Sequence, residues 1–189
     1  MHYNRDMLDE HRPDPDRLLA AIQRQVSQES RARLKIFFGM AAGAGKTYGM
    51  LQAGHQAKAE GVDVVIGYVE THGRSETQAL VEGLEQVPRL VLSYRGTTLE
   101  EMDLDALLAR RPQLALVDEL AHTNAPGARH AKRYQDVLEL LDNGINVYTT
   151  LNVQHFESRA DAVREITGAI VHETVPDSIL ERVDEIELI

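Results

Sequence analysis

The sequence predicts an α/β domain in which a mostly parallel sheet lies between two layers of helices. Three observations predict it: short apolar runs recur along the chain, they lack the strict alternation of half-exposed strands, and segments with helical spacing separate them. Such runs are typical of strands buried on both faces, which occur in parallel sheets covered by helices. With 189 residues, of which 43% are hydrophobic, the chain is large enough for one domain of ordinary size.

The chain is expected to begin with a flexible tail over residues 1–16, and residues 17–189 are expected to form the domain. Asp14 followed by Pro15 predicts the start of a helix, because proline suits the first helical position. Apolar residues then recur on one face of this helix, namely Leu18, Leu19, Ile22 and Val26.

The predicted strands are the apolar runs at 34–38, 62–69, 89–94, 114–117, 145–151, 169–175 and 186–189. Helices are predicted between these runs. Ser75 with Gln78 has the spacing of a capping box, in which two side chains satisfy free backbone N–H groups at a helix start. Thr98 with Glu101 has the same spacing and predicts another helix start. A later helix carries an apolar stripe formed by Tyr134, Val137, Leu138 and Leu141.

A glycine-rich turn, GMAAGAGKT at residues 39–47, follows the first predicted strand and precedes a predicted helix. A strand, a tight turn with converging N–H groups and a helix N-terminus together form a phosphate-binding loop. In such a loop Lys46 would contact the phosphates and Thr47 would bind Mg²⁺. The turn therefore predicts a P-loop NTPase-like three-layer domain whose candidate nucleotide-binding residues are Gly39, Ala42, Gly43, Ala44, Gly45, Lys46, Thr47 and Tyr48.

The turn departs from the strict phosphate-loop pattern at its first glycine. That pattern would place glycine at position 40, which is Met40, whereas Gly39 comes one residue early. A glycine-rich turn without a ligand therefore stays open as an alternative.

A second motif ends the apolar run at 114–117 with Asp118 and Glu119. Asp118 is predicted to bind the nucleotide and its Mg²⁺, and Glu119 is the candidate catalytic residue that would orient or activate an attacking water. A carboxylate after an apolar strand is more often only the start of a loop. Together with Lys46 and Thr47 it is more informative, because ligands of parallel α/β domains bind at the carboxyl ends of strands.

Further polar residues follow the runs at 62–69 and 145–151, at the same expected edge of the sheet. These residues could contact a terminal phosphate or cap the next helix. The roles of His72, Asn152 and His155 therefore stay open. Three arginines are candidate phosphate clamps, with solvated surface charge as the alternative: Arg74, Arg129 and Arg133.

Composition excludes several other classes. Twenty basic against 30 acidic side chains give a net charge of −10, which disfavours nucleic acid as a partner. No apolar run approaches the roughly 18 to 20 residues that cross a bilayer, so no membrane insertion by this segment is expected. The absence of cysteine excludes disulfides and suits a cytoplasmic location. The histidines lack metal-ligand spacing, so no transition-metal site is expected.

Six blocks of the sequence resemble, in order and spacing, the cytoplasmic N-terminal domain of the KdpD osmosensitive potassium-channel sensor histidine kinases. The blocks are RPDPDRLL (12–19), KIFFGMAAGAGKTYGML (35–51), ETHGR (70–74), LVDELAHTNAPGARHAKRYQDV (116–137), TTLNVQHFES (149–158) and ETVPD (173–177). In that family the corresponding turn also has its glycine one residue early. The resemblance implies that ATP is bound in a regulatory role, through Gly43, Gly45, Lys46 and Thr47 and through Asp118 and Glu119.

The resemblance also implies a larger protein, of which this chain would be a fragment. In the family, this domain precedes a universal-stress-protein-like domain, a membrane region in the bacterial inner membrane and a histidine kinase core that phosphorylates the response regulator KdpE to control potassium transport. Autokinase activity is not assigned to this chain, because it lacks the kinase core. The loop 122–133 is expected to move with nucleotide occupancy. The alternatives are a free-standing P-loop phosphotransferase or NTPase that acts on a small molecule, and an interaction domain with a ligand-free turn.

Overall fold

The computed structural model describes residues 31–40, 42–167 and 171–189, together with Arg17 and Leu19. The chain divides into two units, Met1–Arg31 and Ala32–Ile189. The second unit contains every element named below. The predicted tail at 1–16 and the apolar stripe that follows it lie outside the described residues, except for Leu19.

The strands follow in chain order: β1 (Leu34–Gly39), β2 (Val64–Tyr68), β3 (Glu85–Gln86), β4 (Leu90–Tyr94), β5 (Thr97–Glu101), β6 (Leu114–Val117), β7 (Asn146–Asn152) and β8 (Glu185–Leu188). The α-helices are α1 (Lys46–Ala59), α2 (Ser75–Val81), α3 (Leu104–Arg110), α4 (Arg133–Asp142) and α5 (Glu157–Thr167). Short 3₁₀ helices span Val153–His155 and Asp177–Arg182. Within the described residues, no helix combines the length and apolar character needed to span a bilayer.

The main sheet has six strands in the order β3-β2-β6-β7-β1-β8. Every pair of neighbours in it is parallel. This confirms the predicted α/β class with a mostly parallel sheet, and the runs at 34–38, 62–69, 114–117 and 145–151 form β1, β2, β6 and β7 as predicted. Because β7 lies between β1 and β6, the carboxyl ends of these three strands lie side by side.

Side chains of the sheet pack on two faces. In β6, Leu114 and Leu116 contribute to one core, while Ala115 and Val117 contribute to the other. The first core includes Met50, Leu51 and Val81 from α1 and α2; the second includes Leu107, Val137 and Leu140 from α3 and α4. The three-layer arrangement follows from this alternation, because a strand buried on both faces needs a helix layer on each.

The run at 89–94 is a strand, but it lies outside the main sheet. It forms β4, which pairs antiparallel with β5 in a separate two-stranded sheet. The predicted helix start at Thr98 and Glu101 is wrong, because both residues belong to β5. The following helix, α3, is instead capped by Asp103, whose carboxylate accepts a hydrogen bond from the N–H of Ala106 (2.9 Å).

Two further predictions need correction. At Ser75 a helix does begin, but its cap residue is Arg74 and no side-chain capping bond is formed. The run at 169–175 does not form a strand in its described part: residues 171–174 have no regular structure, and Val175 makes only an isolated bridge to Phe156. The run at 186–189 forms β8, which pairs parallel with β1.

Candidate functional site

The carboxyl ends of β1, β2, β6 and β7 surround one polar cleft of about 350 Å³. Most of the residues predicted from the two motifs line it: Ala42, Gly43, Gly45, Lys46, Thr47, Tyr48, Asp118 and Glu119. Gly39 lies behind the cleft, against the side chain of Lys46. Ala44 belongs to the same turn but is not part of the lining.

Two glycines of the turn adopt left-handed backbone conformations. Gly43 and Gly45 have φ angles of 84° and 96°, in the left-handed region that favours glycine. Gly45 is the N-cap residue of α1, and the first turn of this helix carries no acidic side chain. A helix N-terminus has free backbone N–H groups and a positive dipole end, so this turn attracts an anion.

Lys46 is buried behind the turn, with only 9% of its surface exposed. A Cβ atom on Gly39 would lie 3.1 Å from Lys46 Cδ and 3.4 Å from Nζ, so a side chain at position 39 would displace the lysine. Burial lowers the pKa of Lys46, Arg74 lowers it further, and the negative charge of Asp118 opposes this. The early glycine of the turn therefore makes room for Lys46.

Asp118 joins the turn to the end of β6. It is 1% exposed, and the Thr47 hydroxyl donates to its Oδ2 atom at 3.0 Å. The Thr150 hydroxyl of β7 donates to Oδ1, and the N–H groups of Glu119 and Glu70 donate to the same carboxylate at 3.1 and 3.3 Å. The structure thus brings Thr47 and Asp118 together, as their positions after parallel strands predict.

Glu119 adopts a left-handed backbone, with φ 59°. Its N–H donates to the hydroxyl oxygen of Thr150 at 3.0 Å, which holds this unfavourable conformation. Burial raises the pKa of Glu119, and the neighbouring charge of Asp118 raises it further; Arg133, His122 and His72 oppose this. A carboxylate with a raised pKa at the cleft wall is suited to accept a proton.

Arg133 lies beneath this wall and not in the cleft. It is fully buried; its guanidinium donates to Glu101 Oε2 at 2.8 Å and to the carbonyl of Asp118 at 3.3 Å, and lies 3.8 Å from the ring centre of Tyr68. Burial alone would raise the pKa of Glu101, but hydrogen bonds from His122 and Ala125 and the charge of Arg133 lower it.

We call Arg133, Glu101, His122 and Tyr68 the buried network. Glu101 and Tyr68 were not among the site residues predicted from the sequence. The burial of Glu101 could have been predicted from the alternation within residues 97–101, because Glu101 lies on the same face of the strand as Leu99.

The other residues whose roles were left open divide between cleft and surface. Arg74, His72, Asn152 and His155 line the cleft, whereas Arg129 is exposed and pairs with Asp105 and Glu139. His155 Nδ1 donates to the carbonyl of Glu173 at 2.7 Å. The buried Oδ1 atom of Asn152 accepts no hydrogen bond from the described residues. Among these residues, no group of three or more His, Asp or Glu side chains forms a metal cluster.

The fold and the cleft define a parallel α/β domain with a glycine-rich turn, a buried lysine and a threonine–carboxylate pair at one edge of its sheet. Residues 30–189 match the family described as KdpD, osmosensitive K⁺ channel His kinase sensor domain. The chain belongs to this family.

Named relatives agree with this assignment. The chain is 53% identical over 178 residues to the sensor protein KdpD of Escherichia coli, a match that covers 94% of this chain and 20% of the relative. The sensor protein KdpD of Clostridium acetobutylicum matches with the same identity and coverage. The putative sensor protein KdpD of Synechocystis is 57% identical over 159 residues, which cover 84% of this chain and 43% of the relative. The chain therefore spans only a fifth of the length of the first two relatives.

Proposed function

We propose that the cleft binds ATP with Mg²⁺ and that this chain is the regulatory nucleotide-binding domain of a KdpD-like sensor histidine kinase. The parent protein would lie in the bacterial inner membrane with this domain on the cytoplasmic side. Through the response regulator KdpE it would control potassium transport during potassium limitation or osmotic stress. The proposal treats the domain as P-loop NTPase-like.

The contact between Thr47 and Asp118 carries the proposal. It places a hydroxyl oxygen and a carboxylate oxygen 3.0 Å apart at the start of α1, beside the buried ammonium of Lys46. Mg²⁺ binds oxygen ligands and uses few protein groups when phosphates supply the others, so two such groups suit a nucleotide-bound ion. Lys46 and the N–H groups of the first turn of α1 would bind the phosphates.

A regulatory role requires that nucleotide binding in the cleft change the structure outside it. The carbonyl of Asp118 accepts a hydrogen bond from Arg133, which also binds Glu101 at the end of β5. His122 and Ala125 of the loop 122–133 bind the same Glu101 carboxylate, at 3.0 and 2.7 Å. A ligand that shifts Asp118 would therefore act on β5 and this loop together, provided that it binds the two arrangements with different affinity.

Calorimetry with Mg-ATP on the wild-type chain and on Lys46→Ala, with phosphate release followed in parallel, tests the proposal. Binding should be lost in Lys46→Ala, because Lys46 supplies the buried ammonium that is proposed to contact the phosphates. Lys58→Ala is the matched control: Lys58 is an exposed lysine on the same helix, and it binds the carbonyl of Gly83 outside the cleft.

Four results would contradict the proposal in different ways. Rapid phosphate release by the isolated wild-type chain would favour the alternative of a free-standing P-loop phosphotransferase or NTPase, as would release that depends on a small molecule. Absence of binding to wild type would leave the glycine-rich turn as a structural element. Equal loss in Lys46→Ala and Lys58→Ala would show that the effect is not specific to the cleft.

A further inference from the structure

The structure separates the three arginines that the sequence left equivalent. Arg133 is buried in the network beneath Asp118, and Arg129 pairs with carboxylates on the surface. Arg74 alone of the three lines the cleft. Among the described residues, Arg74 is therefore the arginine with access to a ligand in the cleft.

A tight turn directs Arg74 toward the glycine-rich loop. The N–H of Arg74 donates to the carbonyl of Thr71 at 3.0 Å, and the two residues between them, His72 and Gly73, have φ angles of 50° and 71°. A Cβ atom placed on Gly43 would lie 3.2 Å from Arg74 Nη2, so the guanidinium lies directly beside the turn. Arg74 thus crosses from the end of β2 to the loop that follows β1.

The charges beside the glycine-rich turn favour the binding of an anion. Arg74 is exposed and, within the described part of the chain, its guanidinium has no hydrogen bond or ion pair. Lys46 and Arg74 both line the cleft, and both side chains lie against the glycine-rich turn. Two cations beside a helix N-terminus without acidic residues repel each other, and a phosphate group would relieve this repulsion.

We infer that Arg74 binds the terminal phosphate of the nucleotide and makes the cleft discriminate ATP from ADP; this inference rests on the proposed function. The turn that carries Arg74 also carries His72, whose Nε2 atom lies 3.6 Å from the Glu119 carboxylate. Glu119 is the residue proposed to face a water that attacks the terminal phosphate, so Arg74 lies on that phosphate's side. The planar guanidinium can donate two parallel hydrogen bonds to one phosphate group.

Calorimetry with the β,γ-imido analogue of ATP and with ADP, each with Mg²⁺, tests the inference. In Arg74→Gln, affinity for the analogue should fall about tenfold or more, as expected for lost charge-assisted hydrogen bonds, while affinity for ADP changes by less than about threefold. Arg74→Lys should lose less, because it keeps the charge. Arg110→Gln is the matched control and should leave both affinities unchanged, because Arg110 pairs with Asp63 and Glu85 outside the cleft.

The outcomes separate this inference from the proposed function. If wild type binds both nucleotides and Arg74→Gln keeps their ratio, only the inference is overturned; an equal loss for both would place Arg74 on the inner phosphates and also overturn it. If wild type binds neither nucleotide, both proposals fail. Circular dichroism melts of the variants establish that each is folded.

Discussion

The two walls of the cleft differ in how their charges are satisfied. On the wall formed by β6, Asp118 and Arg133 are buried, and the protein itself supplies their partners. On the wall formed by the glycine-rich turn, Arg74 is exposed and has no partner among the described residues. The protein thus holds the buried charges in fixed positions, whereas the exposed guanidinium of Arg74 is available for a ligand.

The largest expected effect comes from breaking the buried wall at Arg133. Arg133→Met removes one partner of a buried ion pair and leaves Glu101 without its cation, which should lower the free energy of unfolding by about 3–5 kcal/mol. Urea denaturation measures this loss. Arg129→Met, the exposed control, should change stability by less than about 1 kcal/mol.

Removal of the second partner sharpens the same test. Arg133→Met combined with Glu101→Gln also removes the charge of Glu101, so the double variant should recover part of the lost stability. A double variant less stable than Arg133→Met alone would contradict the assigned pairing.

A smaller effect is expected at Asp136, a buried carboxyl on α4 that accepts a hydrogen bond from the Asn124 amide at 2.6 Å. Burial raises the pKa of Asp136 to about 6, against the opposing effects of Asn124, His130 and Arg133. The folded pKa exceeds the unfolded value of about 3.9, so the protonated form is favoured in the folded state. Its contribution to stability is complete below about pH 4 and is lost as pH rises through about 6.

The complete contribution is about 3 kcal/mol, by the linkage between pKa and stability, and about 2 kcal/mol of it is lost between pH 4.5 and pH 7. Asp136→Asn cannot ionise and should lack this part of the pH dependence. Urea denaturation of wild type and Asp136→Asn at pH 4.5 and pH 7 measures the difference. Parallel profiles for the two proteins would show that Asp136 does not titrate in this range.

The smallest effect concerns the turn wall at Gly39. Gly39→Ala places a methyl group 3.1 Å from Lys46 Cδ, which should displace the lysine and weaken ATP binding by about three- to tenfold, roughly 1 kcal/mol. Met40→Gly, which restores the strict motif at a residue that is 75% exposed, should change the affinity little. Calorimetry on both variants decides which position matters; a larger effect at Met40 would contradict the role assigned to Gly39.

The main sheet could be predicted from the sequence, because its central strands are buried on both faces and consist of uninterrupted apolar runs. The sequence did not predict that the strand at 89–94 lies outside the main sheet. In this strand, β4, half-buried and exposed residues alternate, as is typical of a hairpin. The contact between Thr47 and Asp118 was predictable, because ends of parallel strands share one edge of the sheet.

The buried network was not predictable in the same way. A β-bulge between Ile66 and Tyr68 places Tyr68 in the same core as Val65, on the face where Arg133 lies. The period-two spacing of a regular strand predicts that Tyr68 lies on the same face as Ile66, because this spacing takes no account of the bulge. The residues that contact Tyr68 also come from distant parts of the chain. Arg133 could not be separated from Arg74 and Arg129 for this reason.

The left-handed backbone of Glu119 restricts which amino acids this position can accept. Glycine would adopt the conformation most easily but would remove the carboxylate, whereas other acids keep the chemistry and retain the strain. The backbone conformation at this position therefore favours glycine, whereas the proposed chemistry favours a carboxylate. Asparagine tolerates the left-handed region and has no ionisable group. Glu119→Asn therefore removes the carboxylate while it keeps a side chain that suits this backbone conformation.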